Sequence, residues 1–372
     1  MVSQQKIFFD FLRFCIGSTL EIPPSLKGAD WNEIYAIAQK QCLLGILFDG
    51  IERLPADSGI SKELLYKWMG RCRMLEKVNA QLNDAAVKVS NWFQKKGFRT
   101  CILKGQGNAL MYPNPYSRTP GDIDIWVEGG DKRVISFVRS ISPHEKACYH
   151  HIEFPPYKGV EVEVHYRPSF LLCFWHNRKL QKYYDRVKEE QFSHRVMLGK
   201  QGEVAIPTVE FNLIFQLTHI YAHLMNEGIG LRQLVDYYYV LISDDLLLIR
   251  DRVQKELKEL GLWKFAGAIM YIMQEVFGMP ASRLIVPPNE KYGKFVLNEV
   301  LEAGNFGKHD ERNRFGRSKL GHNLQRVYRD IRLVRYFPGE AMSEPFFRIW
   351  HFFWRKSVSI LLPLHPESRK PK

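Results

Sequence analysis

The 372-residue sequence carries few of the marks of an exported, membrane-embedded or disulfide-framed protein. Its six cysteines, Cys15, Cys42, Cys72, Cys101, Cys148 and Cys173, are scattered, and no two form a Cys-x-x-Cys pair. That spacing suits reduced thiols and speaks against zinc binding through them. No stretch reaches the roughly 18 to 20 apolar residues that a membrane-crossing helix needs. The aromatic run Trp350 to Leu364 is interrupted by Arg355 and Lys356 and reads as a packed or interfacial helix. Met1 to Lys6 offers neither the apolar run nor the small-residue cleavage site of a signal peptide, so a cytoplasmic location is expected. There is no internal repeat, no low-complexity segment and no RNA-binding motif with paired aromatics. Acidic residues are also in deficit: 40 Asp and Glu face 53 Lys and Arg, a formal net charge of +13. An anionic partner follows, but basicity alone does not choose among a nucleoside triphosphate, a nucleic acid and an acidic polymer.

What is present is a folded chain, 45% hydrophobic and 13% aromatic, long enough for two or three lobes. The periodicity divides it into a helical N-terminal lobe (1–96), a central core (97–205), a second helical lobe (206–286) and a basic helical C-terminal region (287–372). In the first lobe Ile7, Phe8, Phe11, Leu12 and Cys15 keep helical spacing, and a long helix, whole or broken once, is expected from Ser61 to Lys96, stopped by Gly97. The central core carries the strand patterns. Phe98 to Leu103 is apolar and runs into Lys104-Gly105. In Gly121-Asp122-Ile123-Asp124-Ile125-Trp126-Val127 the residues alternate, so Asp122 and Asp124 share a face while the isoleucines enter a core. Two carboxylates at i and i+2 on one strand suit a hard divalent cation, because Mg²⁺ takes one or two carboxylates plus substrate phosphates. Gly129-Gly130 leads to Asp131, a candidate N-cap. Val160 to Tyr166 alternates again, with Glu161, Glu163 and His165 opposite the valines.

Later, Thr208 is a candidate cap for a helix with a polar stripe of Asn212, Gln216, His219 and His223. The two histidines lack the Glu of the metalloprotease motif, so the stripe reads as facing a cleft or another helix. Arg232 and Asp236 are one turn apart and suited to pair. Lys308, Arg312, Arg314, Arg317 and Lys319 cluster among glycines, and Arg326, Arg329, Arg332 and Arg335 follow at steps of three, a candidate anion-binding stripe.

A Gly-containing turn, a short helix and Asp-h-Asp-h on the next strand resemble the nucleotidyltransferase superfamily, the group of DNA polymerase beta and poly(A) polymerase. The longer wording resembles a bacterial branch known as uncharacterised nucleotidyltransferases, which reads Leu-Lys-Gly, Tyr-Pro, an Arg and Gly-Asp-Ile-Asp. Here these are Leu103-Lys104-Gly105, Tyr112-Pro113, Arg118 and Gly121-Asp122-Ile123-Asp124, in that order. The branch's Glu-h-His maps onto Glu163-Val164-His165, and its Gly-Leu-Arg with a following Asp onto Gly230-Leu231-Arg232 and Asp236.

The resemblance implies an α+β fold, a small mixed sheet with flanking helices. It also implies transfer of a nucleoside monophosphate from a triphosphate to an acceptor hydroxyl, dependent on Mg²⁺ or, alternatively, Mn²⁺. Asp122 and Asp124 would hold two metal ions, and Glu163, rather than Glu161, would join the one nearer the acceptor. His165, one pleat further on, would orient the acceptor or hydrogen-bond a carboxylate. Lys104, Gly105, Arg118 and Arg232 would contact the nucleotide. Lys104-Gly105-Gln106 stands where the superfamily usually has a Gly-Ser pair, a departure at the triphosphate. Two rival readings are a nonenzymatic nucleic-acid- or protein-binding module on the same fold, and a metal-dependent phosphodiesterase. A binding module for anions gains nothing from three clustered carboxylates, and a phosphodiesterase would want more His and Asp ligands.

Overall fold

A computed structural model of the chain describes residues 3–307, 310, 312 and 319–361. The elements run α1 (Gln4–Cys15), α2 (Trp31–Lys40), α3 (Leu44–Ile51), α4 (Lys62–Lys95), β1 (Thr100–Ile102), α5 (Gln106–Ala109), β2 (Ile123–Val127) and α6 (Gly130–Ile141). They continue with β3 (His151–Tyr157), β4 (Val160–His165), α7 (Phe174–Ser193), β5 (Arg195–Met197), β6 (Glu203–Ala205), α8 (Val209–Asn226) and α9 (Leu231–Leu241). Last come α10 (Leu246–Glu259), α11 (Trp263–Glu275), α12 (Glu290–Ala303), α13 (Lys319–Val334) and α14 (Pro338–Leu361). The fold is mixed α+β, as the resemblance implies. Among the described residues no helix is long and apolar enough to cross a membrane.

The chain divides into two compact units, each assembled from three separated stretches. The first comprises 1–80, 109–120 and 223–326; the second comprises 81–108, 121–222 and 327–372.

In the first unit every residue of α9 is buried, including Arg232, Gln233 and Asp236. A helix apolar on most of its circumference but carrying charge must find partners for that charge inside the protein. Local signals account for the starts of α1 and α2. Ser3 caps α1 through the Lys6 amide, and Asp30 accepts from the Asn32 and Glu33 amides at the start of α2. Arg312 of the basic cluster is ion-paired with Glu299 at 2.9 Å and Asp310 at 2.8 Å. Lys308, Arg314 and Arg317 lie outside the described residues, as does the side chain of Lys319.

The second unit contains the sheet, in the order β1-β2-β4-β3. β1 pairs antiparallel with β2, β2 parallel with β4, and β4 antiparallel with β3. β2 is central and buried at all five positions. On one face Ile123, Ile125, Val127, Val162 and Val164 pack with Val134, Ile135 and Val138 of α6 and with Val89 and Phe93 of α4. On the other, Trp126 lies against Phe192 and Phe211.

Two local expectations change. α6 is capped by Gly129 at φ 132°, which only glycine adopts readily, and not by Asp131. Asp131 falls in the first turn, where its carboxylate accepts from Arg167 at 2.8 Å. The arginine stripe does not form one face, because Arg329 is buried. A step of three falls about 60° short of a full helical turn, so residues at that spacing rotate around the helix.

Candidate active site

The parallel register of β2 and β4 sets Asp124 directly beside Glu163. Asp122 stands one residue ahead of β2, and the three carboxylates can bring one oxygen each to within 4.8 Å of one another. Asp124 is 1% exposed, whereas the Glu163 side chain keeps 30% of its surface. Glu161 shares the parity of Glu163 but is exposed.

The Leu103 amide donates to the Asp124 carbonyl at 3.0 Å, which extends the β1–β2 pairing and delivers the next side chain to the carboxylates. The Lys104 ammonium lies 3.1 Å from Asp124 Oδ1. His165 Nε2 lies 2.9 Å from the same oxygen and 3.4 Å from Glu163 Oε2. His151 of β3, opposite His165 in register, places Nδ1 3.6 Å from Glu163 Oε2. His219 of α8 lies 3.1 Å from the Lys104 ammonium, and Gln216 donates to Asn108 at 3.0 Å. Two residues of the α8 stripe therefore face this region, His219 toward Lys104 and Gln216 toward Asn108 of α5, while His223 lies 3.4 Å from Glu227.

These contacts fix the charges. Burial pushes the Asp124 carboxyl up, but Lys104 and His165 together outweigh it and hold the group well below the carboxylate range. Repulsion from Asp124, then burial, raises Asp122. Burial opposes the charged imidazole of His165, yet hydrogen bonds to Asp124 and Glu163 prevail and push its pKa up to about 9. Burial followed by repulsion from His165 lowers His151 to about 4, which leaves it neutral at physiological pH. Burial likewise disfavours a charged Lys104, but Asp124, Asp122 and Glu163 overcome it and keep the ammonium protonated.

Three acidic groups thus face two cationic ones. The cluster also contains an unused acceptor: Asp124 Oδ2 is buried and has no hydrogen-bond partner among the described residues. A buried carboxylate oxygen without a donor is costly, and a cation relieves it. The donor set, all carboxylate oxygen, is that of a hard divalent ion such as Mg²⁺. The residues therefore fit the metal that the sequence patterns imply.

The other residues singled out from the sequence fall into two places. Gly105, at φ +65°, makes the turn after Lys104, and its Cα faces the Asp122 carbonyl. Arg118 and Arg232 belong to the first unit. Arg118 makes a two-pronged bond to Asp236 at 2.8 Å on each oxygen, and the Tyr112 hydroxyl adds a third at 2.5 Å. Arg232 donates to the Thr119 and Pro120 carbonyls at 3.1 and 3.4 Å. Sequence reasoning missed His151. Its strand contains Pro155 and Pro156, which weaken a strand assignment, yet β3 is an edge strand, where proline is tolerated.

The family described as "Uncharacterised nucleotidyltransferase" matches residues 27–278, a span that includes every carboxylate of the cluster. No curated protein matches the sequence. A crystal structure of an antigenic nucleotidyltransferase-like protein from Paracoccidioides brasiliensis is similar at 16% identity over 50% of this chain and 92% of its own. The TM-score is 0.27, a likeness too slight to build on.

Proposed function

This chain belongs to the uncharacterised nucleotidyltransferase family, and we propose that it transfers a nucleoside monophosphate from a nucleoside triphosphate to an acceptor hydroxyl. The observation that carries this reading is the three-carboxylate cluster with its buried, unpartnered Asp124 Oδ2. Asp122, Asp124 and Glu163 would hold Mg²⁺, with Mn²⁺ as the alternative. When bound, the ion supplies positive charge to phosphoryl oxygens and lowers the pKa of an oxygen nucleophile.

The chain's own groups have distinct tasks. His165 is a positioning residue: its Nε2 donates toward both Asp124 and Glu163 and fixes the gap between them. Lys104 neutralises Asp124 and, on the turn at Gly105, is the cation available to phosphate oxygens. Glu163, less buried than Asp124, is assigned to the side of the incoming acceptor. The acceptor oxygen forms a bond to the α-phosphorus, the bond to the bridging oxygen breaks, pyrophosphate leaves, and the hydroxyl proton is released.

The test is transfer of label from α-phosphate-labelled ATP, CTP, GTP and UTP, with Mg²⁺, into a mixture of protein, RNA and small hydroxyl acceptors. Label incorporation by wild type that disappears in Asp124→Asn is the expected result. If wild type neither incorporates label nor binds any triphosphate in the presence of Mg²⁺ by calorimetry, the proposal fails.

A further inference from the structure

Away from the carboxylate cluster, the second unit brings together a cysteine, a histidine and a glutamate that the transfer reaction does not use. Cys173 and His176 stand at the start of α7, three residues apart and so on one face. Glu340 comes from the first turn of α14. One atom from each, the Cys173 thiol, a ring nitrogen of His176 and a Glu340 oxygen, lie within 4.8 Å of one another.

Neither the Cys173 nor the His176 side chain makes a hydrogen bond or ion pair to a described residue outside the cluster. Cys173 occupies the N-cap position but makes no capping bond with its side chain. His176 hydrogen-bonds to no described residue. Glu340 is 4% exposed and forms no ion pair with any described lysine or arginine. Its carboxylate accepts from the Leu172 amide at 2.6 Å and, less directly, from the Cys173 amide at 3.3 and 3.4 Å. A carboxylate offers about four lone-pair sites, so acceptor capacity remains. A buried carboxylate with no cation beside it is costly to keep charged, and a bound metal ion would offset that cost.

A cap for α7 explains the glutamate and leaves the other two residues unexplained. The elements are also held firmly. Phe347 and Trp350 of α14 pack on Phe174 with ring centroids 6.0 and 5.8 Å away, and Phe347 stacks on Phe170 at 5.2 Å.

We propose that Cys173, His176 and Glu340 bind a zinc ion that ties the start of α7 to the start of α14. Sulfur, imidazole nitrogen and carboxylate oxygen together suit zinc, not Mg²⁺, and three protein ligands leave a fourth position for water. Binding converts the Cys173 thiol to thiolate and releases its proton. The helix N-terminus favours that thiolate. The cysteine spacing speaks against zinc because it sees only ligands near in sequence, whereas Cys173 and Glu340 lie 167 positions apart.

The full-length protein is purified, dialysed against a weak chelator and assayed for metal, then stripped and reloaded with Co²⁺. One zinc per chain is expected in wild type and in Asp124→Asn, with thiolate-to-cobalt charge-transfer absorption after reloading. Cys173→Ser should abolish that absorption. His176→Gln should weaken zinc binding by more than the roughly 10–100-fold that loss of a metal's outer-sphere partner costs. Circular dichroism reports whether each variant is folded. Glu340→Gln, which keeps the amide bonds' acceptor, serves if Cys173→Ser is not. Wild type that retains no zinc overturns the proposal. So does zinc held equally by His176→Gln, or a cobalt spectrum without a sulfur band, which would place the ion among nitrogen and oxygen donors such as His151, Glu163 and His165.

Discussion

Each unit buries a cluster of charge, and the two clusters are resolved in opposite ways. In the first, Asp236 uses both oxygens, on the fork of Arg118 and on the Tyr112 hydroxyl. In the second, Asp124 uses one oxygen, shared by Lys104 and His165, and its other oxygen has no described partner. Beside it stand Asp122 and Glu163, so negative charge is in surplus. In the first cluster both carboxylate oxygens are occupied, and the pair holds the wholly buried α9 in place. An unsaturated, net-negative cluster costs stability by itself, and it is the one equipped to hold a cation.

The largest expected difference is in Asp124→Asn. Its amide is a weak ligand for a hard cation, so transfer should fall by on the order of 10³-fold, the several kcal/mol that a bound metal contributes. Unfolding in urea should show a much smaller change. Asp236→Asn should do the reverse and cost about 3–5 kcal/mol of stability, since it strands the Arg118 charge in the interior. The comparison collapses if Asp124→Asn unfolds the protein while Asp236→Asn leaves its urea midpoint in place.

The same pair predicts a pH dependence. Burial raises the Asp236 pKa, but Arg118 outweighs it and the net shift is downward. A depressed carboxyl contributes stability above its unfolded pKa and loses it as pH falls through the folded one. Wild type should therefore lose stability below about pH 4, the unfolded carboxylate range. In Asp236→Asn that part of the acid-side slope should vanish, which urea titrations at stepped pH would reveal.

Within the second cluster, Glu163→Gln should retain triphosphate binding and lose transfer, while Glu161→Gln, exposed on the same strand, should stay within about twofold of wild type by the usual tolerance of surface sites. Equal losses from the two would remove the special place given to Glu163. Lys104→Ala should weaken triphosphate binding by roughly tenfold or more, the loss of a charge-assisted contact. Because Lys104 also neutralises Asp124, Mg²⁺ affinity should hold or rise. A calorimetric titration in which Mg²⁺ affinity falls and triphosphate affinity does not would reverse the assignment.

The strands β2 and β4, the helix α4 and the caps at Ser3 and Thr208 follow from local rules: side chains alternate along a strand, a 3.6-residue period buries one helix face, and a hydroxyl satisfies a free amide. α4 runs unbroken through Gly70, since one interior glycine costs only about 1 kcal/mol. Alternation likewise set Asp122 with Asp124, and Glu163 with His165, on shared faces.

Local rules end where two distant segments must be paired. Which strand lies beside β2, and that Asp124 meets Glu163 and not a residue two further along, depend on hydrogen bonds between strands separated by a helix and a hairpin. Asp236 was equally suited by spacing to Arg232, but the fork of Arg118 reached both its oxygens. His151 and Glu340 gained their neighbours in the same way, by packing of segments that no spacing connects. The sequence by itself determined which residues share a strand or helix face, because that is set by backbone period within a few residues. Tertiary structure alone decided which faces meet, because partner choice depends on burial and pairing summed over the interleaved stretches of each unit.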